Sequence, residues 1–166
     1  GPLVGAVLRP LGGRLADRLG GARVTLWCFV AMGVATIVLP PLLPLPGAAV
    51  AAPAAGARLA AVVAVGLVLF AAAGIGSSSV FRMIPVLFSR LHGGDARRAH
   101  TEAGAALGLA GAIGAYGGFV IPKSLGTALA FGGSAAPALA MFSLFYLSCI
   151  ALAWWQQARP GAPLPC

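Results

Sequence analysis

Apolar residues in this chain run in long unbroken stretches instead of alternating with polar ones at helix or strand spacing. Charged side chains are absent from Val24 to Ala57, from Leu59 to Phe81, from Ala103 to Pro122 and from Ser124 to Ala158, stretches of 34, 23, 20 and 35 residues. A helix crossing the roughly 30 Å hydrocarbon layer of a bilayer needs about 20 apolar residues, so each stretch is long enough for one crossing. Gly/Pro/Ala-rich punctuation at 40–56 and 126–137 divides the two longest into one helix and one loop each. The pattern predicts spans at about 24–43, 59–88, 101–123 and 136–156. A fifth opens the chain: 1–15 is apolar apart from Arg9 and Arg14, yet at helical rise it covers only about 22 Å. With Gly at position 1 and no signal-peptide pattern, the chain is expected to start inside a membrane helix, as a fragment whose missing part lies upstream. The expected fold class is all-α, a polytopic membrane helix bundle: a partial half-bundle over 1–159, then a tail over 160–166.

Composition supports this picture. Of 166 residues, 60% are hydrophobic and 8% charged, where soluble domains carry about 25% charged residues. That excludes an ordinary water-soluble globule, and the high apolar content equally excludes disorder. The net charge of +8 comes from 11 Lys or Arg against 3 Asp or Glu. These cations are scattered and not interleaved with aromatics, so nucleic acid is not an expected partner; the lipid bilayer is. Their placement gives an orientation. Arg14, Arg18 and Arg23 fall in the first loop, Arg58 in the second, Arg90, Arg97 and Arg98 in the third, Lys123 in the fourth and Arg159 in the tail. The positive-inside rule then puts 14–23, 89–100 and the C-terminus in the cytoplasm of a multi-pass inner (plasma) membrane protein.

Arg9 and Arg82 remain inside the spans. Arg9 precedes Arg14 by five residues and Asp17 by eight, roughly 8 to 12 Å into the membrane, and Arg82 stands at a similar depth before Arg90. An arginine at the bilayer centre costs about 2.5 to 3.5 kcal/mol on insertion scales, so neither should face lipid. Two readings stand: snorkelling to the headgroups, or lining an aqueous cavity and meeting an anion. Asp17 and Asp95 fall in loops and Glu102 at the start of a span, so no carboxylate is expected beside either arginine. A planar guanidinium fork suits a planar oxyanion. In the fourth span Gly104, Gly108, Gly111, Gly114, Gly117 and Gly118 include four-residue spacings that read first as helix packing and second as close approach to a small ligand. The glycines and serines of 74–79 are expected to soften the third span and bring hydroxyls near Arg82. An enzyme is not expected: Ser77–Ser79 have no base beside them, His92 and His100 are wrongly spaced for a metal pair, and no cofactor or metal is implied. Cys28 and Cys149 read as buried apolar residues, and Trp154 and Trp155 as an interfacial anchor.

The segment Gly-Arg-Leu-Ala-Asp-Arg-Leu-Gly-Gly-Ala-Arg, 13–23, resembles the cytoplasmic loop motif of the major facilitator superfamily. Gly13, Leu15, Asp17, Arg18 and Gly20 match it, with Gly21 and Ala22 where a basic residue is common and Arg23 following. The resemblance implies a gating loop in which the Asp makes a helix-end contact. Within that superfamily 1–21, 74–88 and 105–125 resemble the nitrate/nitrite porter branch, and Gly-Ala-Ile-Gly-Ala-Tyr-Gly-Gly-Phe-Val-Ile-Pro-Lys, 111–123, is similar to its second glycine signature.

This resemblance covers essentially the whole chain and implies helices eight to twelve of twelve. It implies a nitrate/nitrite transporter working by alternating access, with nitrate and nitrite as ligands and the missing N-terminal half as partner. Arg9 takes the helix-eight substrate position, with Gly111, Gly114, Gly117 and Gly118 nearby. Arg82 lies where some porters carry Gln. Helices eight, ten and eleven would border the cavity, with the uncharged second and fifth spans facing lipid. The alternatives are another small-anion or solute facilitator of the superfamily, or a non-transporting membrane receptor or scaffold on the same bundle.

Overall fold

The computed structural model describes residues 2–43, 55–93 and 95–158, and every regular element among them is helical. Five α-helices follow one another: α1 (Pro2–Leu19), α2 (Gly21–Leu42), α3 (Ala55–Leu91), α4 (Ala96–Gly132) and α5 (Ala136–Ala153). A π-helical turn, Trp154–Ala158, continues α5 and carries the exposed Trp154 and Trp155. Four of the five helices, α2 to α5, are long and apolar enough to cross a membrane. The fold is an all-α membrane helix bundle. α1, with Arg9, Arg14, Asp17 and Arg18 in 18 residues, carries too much charge to stand among those four. The tail expected over 160–166, with Arg159 and Cys166, and most of the loop expected at 40–56 lie outside the described residues.

Helix runs much further into the expected loops than the charge pattern indicated. The turn expected over 14–23 contracts to Gly20, whose φ of 88° is a conformation open to glycine and strained for other residues. Arg14, Asp17 and Arg18 therefore stand on the last turns of α1, and Arg23 on the first turn of α2. The loop at 89–100 contracts to 92–95, where Gly93 takes φ 50°. Asp95 caps α4 by accepting the Arg98 backbone N–H at 3.2 Å, which satisfies a donor the helix cannot reach. Arg18 and Arg90 sit in the last turns of α1 and α3, where a cation complements the helix dipole. Arg58 and Lys123 also lie within helices, not loops. Lys123 rests over the Phe119 ring at 5.3 Å, one turn back, and α4 ends at Gly133 in the left-handed region with its N–H on Leu129 O. Charge alone marks where a chain leaves hydrocarbon, and a helix continues past that point at no cost.

α2 sits centrally, against α3, α5 and α1. Its Val24, Cys28 and Met32 form the apolar core with Ala72 of α3, and Phe29, Leu69, Ile75 and Tyr146 pack around them. Its lack of charge had implied a helix facing lipid. Instead 44% of its most apolar stretch is buried, against none of the corresponding stretch of α4, while Trp27, Val34 and Val38 form an exposed line. An uncharged helix can serve as core as readily as wall, and neighbouring small residues decide which. Hydroxyl pairs tie α2 to its neighbours: Thr25 meets Ser79 of α3 at 3.1 Å, and Ser143 of α5 donates to Thr36 Oγ1 at 3.0 Å. α4 is joined to the rest chiefly near its start, where Ala99 and Ala103 are buried and Glu102 meets His92 Nε2 at 3.1 Å.

Candidate functional site

The site is built on the contact between α1 and α3. Gly5, Arg9, Gly13 and Asp17 recur every four residues and so form one slowly winding row on α1. Gly5 lies against the backbone of Phe70 and Gly74, and Gly12, beside the row, lies against Ile75. A Cβ added to Gly5 would stand 2.9 Å from Phe70 O, and one added to Gly12 would stand 2.5 Å from Ile75 O. Only glycine lets two backbones approach this closely. Among the described residues, the glycines whose added Cβ would meet neighbouring backbone are thus on α1 and α3.

Arg9 leaves this interface at its rim. Its side chain is exposed, and among the described residues its guanidinium has no hydrogen-bond or ion-pair partner; its carbonyl accepts from Ser78 Oγ of α3 at 2.6 Å. Arg82 is in the opposite condition. Its Nε donates to Asp17 Oδ1 at 2.8 Å and its second fork nitrogen lies 2.6 Å from Asp17 Oδ2, with both side chains about half exposed. The expectation that Arg82 lacks a carboxylate is therefore corrected. Asp17, on the last turns of α1 and not in a loop, is within reach, and the Arg82 side chain passes beside Gly13 to meet it. A Cβ on Gly13 would stand 3.5 Å from Arg82 Cδ and 3.8 Å from Ser78 Oγ. Serine hydroxyls do stand near Arg82, but the segment 74–79 does not soften α3, which runs helical through it.

The matched turn residues divide by role. Gly13 lies beside the Arg82 side chain, Asp17 binds it, Gly20 makes the turn, and the side chains of Arg18 and Arg23 are exposed beside it. Exchanging the pair's charges tests this reading. Asp17→Asn or Arg82→Gln alone should lower the stability of the folded protein modestly, by up to about 1 kcal/mol as for other half-exposed pairs, while the double exchange Asp17→Arg with Arg82→Asp should recover part of the loss in a thermal melt.

The glycines of α4 behave otherwise. A Cβ added at Gly104, Gly108, Gly111, Gly114, Gly117 or Gly118 would meet nothing within 4 Å. Gly111, Gly114 and Gly118 are exposed and Gly117 is half-buried. Gly104, Gly108, Gly111 and Gly118 share one face, about a third of a turn from the Ala99 and Ala103 side that packs on the bundle. Helix packing, the first reading of their spacing, has no contact at these glycines among the described residues. Nor does the structure bring them to Arg9 through any described contact. The tight glycines Gly5, Gly12 and Gly74 and the Ser78 contact were not singled out as a packing set in the sequence; the seven-residue spacing of Gly5 and Gly12 was the available signal.

No family model matches the chain. Among curated proteins, it is 43% identical to the nitrate/nitrite transporter NarU of Salmonella typhimurium over 96% of its own length, and 40% identical to NarU of Escherichia coli over the same share. It is also 32% identical over 90% of its length to a probable nitrate/nitrite antiporter, NarK1, of Thermus thermophilus. The chain belongs to the nitrate/nitrite porter family. It spans about a third of the length of these relatives, 35% of either NarU and 32% of NarK1. The relatives are named as transporters and antiporters, a class without enzymes. As a porter-family chain with four membrane-crossing helices it is a multi-pass membrane protein.

Proposed function

We propose that this chain forms helices eight to twelve of a nitrate/nitrite transporter and supplies one wall of its substrate cavity, with Arg9 as the anion ligand. One observation carries the assignment. Of the two arginines in apolar helix, Arg82 is paired with Asp17, while the guanidinium of Arg9, at the rim of the α1–α3 interface, has no partner among the described residues. An uncompensated arginine at membrane depth is expensive unless a ligand or water serves it. A planar fork with two parallel donors matches nitrate or nitrite. The likeness to the porters along nearly the whole chain supports the same substrate.

Mechanistically, an anion bound between Arg9 and a cation on the missing half would cancel the repulsion that keeps the empty cavity from closing. The two halves would then rock about the bound ion, a cycle that favours exchange of one anion for another. Gly111, Gly114, Gly117 and Gly118 would form the part of the cavity wall where only backbone bulk is tolerated, since among the described residues nothing lies within 4 Å of a Cβ added at any of them. Asp17 and Arg82 would act about two turns below Arg9 as a gate, with Gly13, Arg18, Gly20 and Arg23 shaping the turn. The helix ends that flank Gly20 and 92–95 carry Arg14, Arg18, Arg23, Arg90, Arg97 and Arg98, six of the eleven cations, which supports a cytoplasmic position for both turns in the inner membrane.

The experiment uses the complete transporter in liposomes preloaded with nitrite. External nitrate should drive nitrite efflux, and sulfate or a sugar should not. Sulfate-driven efflux of equal rate would replace this reading with a general anion facilitator, and absence of any flux from correctly inserted protein would remove the transport reading.

A further inference from the structure

The serines at 77–79 have no task in the proposed transport chemistry, yet they are shared among three helices. Successive residues on a helix point about 100° apart, and the three hydroxyls go to three places. Ser77 Oγ donates back to Gly74 O of its own helix at 3.1 Å. Ser78 Oγ donates to Arg9 O of α1 at 2.6 Å. Ser79 Oγ, fully buried, donates to Gly21 O of α2 at 2.9 Å and meets Thr25 Oγ1 at 3.1 Å. One turn further, Arg82 holds Asp17. α3 therefore grips the α1–α2 segment at Arg9, at Asp17 and at Gly21.

The Ser78 bond falls on the carbonyl of Arg9 itself, at the weakest turn of α1. Pro10 follows Arg9 and has no N–H, so the Ala6 carbonyl one turn earlier loses its helical donor. The helix lacks a backbone hydrogen bond at the turn that carries Arg9. On either side Gly5 and Gly12 press the backbone of α1 onto α3, but glycine contacts resist approach and leave sliding and rotation free. A hydroxyl on the Arg9 carbonyl is directional and removes that freedom.

We propose that Ser78 is a positioning residue for Arg9: its hydroxyl fixes the turn of α1 that carries the guanidinium, and so sets the affinity for the transported anion. This rests on the reading of Arg9 as anion ligand. Ser78 touches no substrate in this account and acts through the backbone of Arg9 alone.

The test compares Ser78→Ala, Ser78→Thr and Ser77→Ala in the complete reconstituted transporter, reading nitrate KM and Vmax separately. Ser78→Ala should raise KM about three- to tenfold, the scale of one lost hydrogen bond, with Vmax held within about twofold. Threonine offers the same hydroxyl and should restore KM. Ser77→Ala, which loses only a bond within α3, should leave it unchanged. An unaltered KM in Ser78→Ala, a loss confined to Vmax, or equal damage from alanine and threonine would overturn the proposal. Should Ser78→Ala fail to insert, Ser78→Cys replaces it, read by nitrate-dependent thermal stabilisation; its weaker donor should bind nitrate less tightly than threonine, and equal binding would count against the role. Wild-type protein that neither moves nor binds nitrate would remove the transport reading itself, whereas an active wild type with an indifferent Ser78→Ala removes this inference alone.

Discussion

Arg9→Lys in the complete transporter should abolish nitrate uptake into liposomes or reduce it severely, by about tenfold to a hundredfold or more at fixed protein. The substitution keeps the charge and removes the planar fork, so it asks for geometry and not for electrostatics alone. Charged hydrogen bonds are worth about 1.5 to 3 kcal/mol each, which corresponds to that range of affinity. The result discriminates because an arginine that merely snorkels to the headgroups is replaced well by lysine, which snorkels too. Undiminished uptake with normal insertion would return Arg9 to the lipid interface. Arg82→Lys should have a smaller effect on nitrate affinity, since the Arg82 fork is already occupied by Asp17.

The second large effect concerns two kinds of glycine. Gly74→Ala should strongly destabilise the bundle, because the added methyl would run into the backbone of Gly5, which has no flexible side chain to give way. Overpacking of this kind costs about 1 to 3 kcal/mol, and more where the obstacle is backbone. A lowered melting temperature in detergent and poor recovery of monodisperse protein are expected. Gly114→Ala should do the reverse, leaving folding intact while impairing transport, since nothing in this chain lies within 4 Å of the added Cβ. Melting curves and uptake rates of the same two purified variants suffice. If Gly114→Ala lowers stability as much as Gly74→Ala, the α4 face is a packing surface of the assembled transporter; if it leaves uptake intact, Gly114 does not line the cavity.

Much of the fold is legible in the sequence because bilayer thickness imposes a length on apolar runs, and charge-free stretches of at least 20 residues have few alternatives to helix. The ends of the helices are not legible in the same way. Arg14, Asp17, Arg58, Arg90 and Lys123 interrupt the apolar runs, but all are compatible with helix, so α3 extends a few residues and α4 well beyond the expected spans. Gly20, Gly93 and Gly133, whose positive φ other residues resist, and the Asp95 cap mark turns with a backbone cause.

The arginine pair follows a similar division. That Arg9 and Arg82 fall inside apolar runs was visible in the sequence. Which of them was free was not, because Asp17 reaches Arg82 only when α1 and α3 pack in the register that Gly5, Gly12 and Gly74 permit. The glycine row of α4 was the most conspicuous small-residue pattern in the chain, yet the tight contacts belong to less conspicuous glycines. Spacing alone distinguishes neither which face meets a neighbour nor which meets a cavity.

The central claim is that Arg9 binds the transported anion and Arg82 does not. Nitrate titration of the purified complete transporter, followed by thermal stabilisation, tests it directly in wild type, Arg9→Gln and Arg82→Gln. The account predicts saturable stabilisation of wild type by nitrate and nitrite but not sulfate, its loss in Arg9→Gln, and its retention in Arg82→Gln about a lower starting melting temperature. Nitrate stabilisation of Arg9→Gln with wild-type affinity would contradict it.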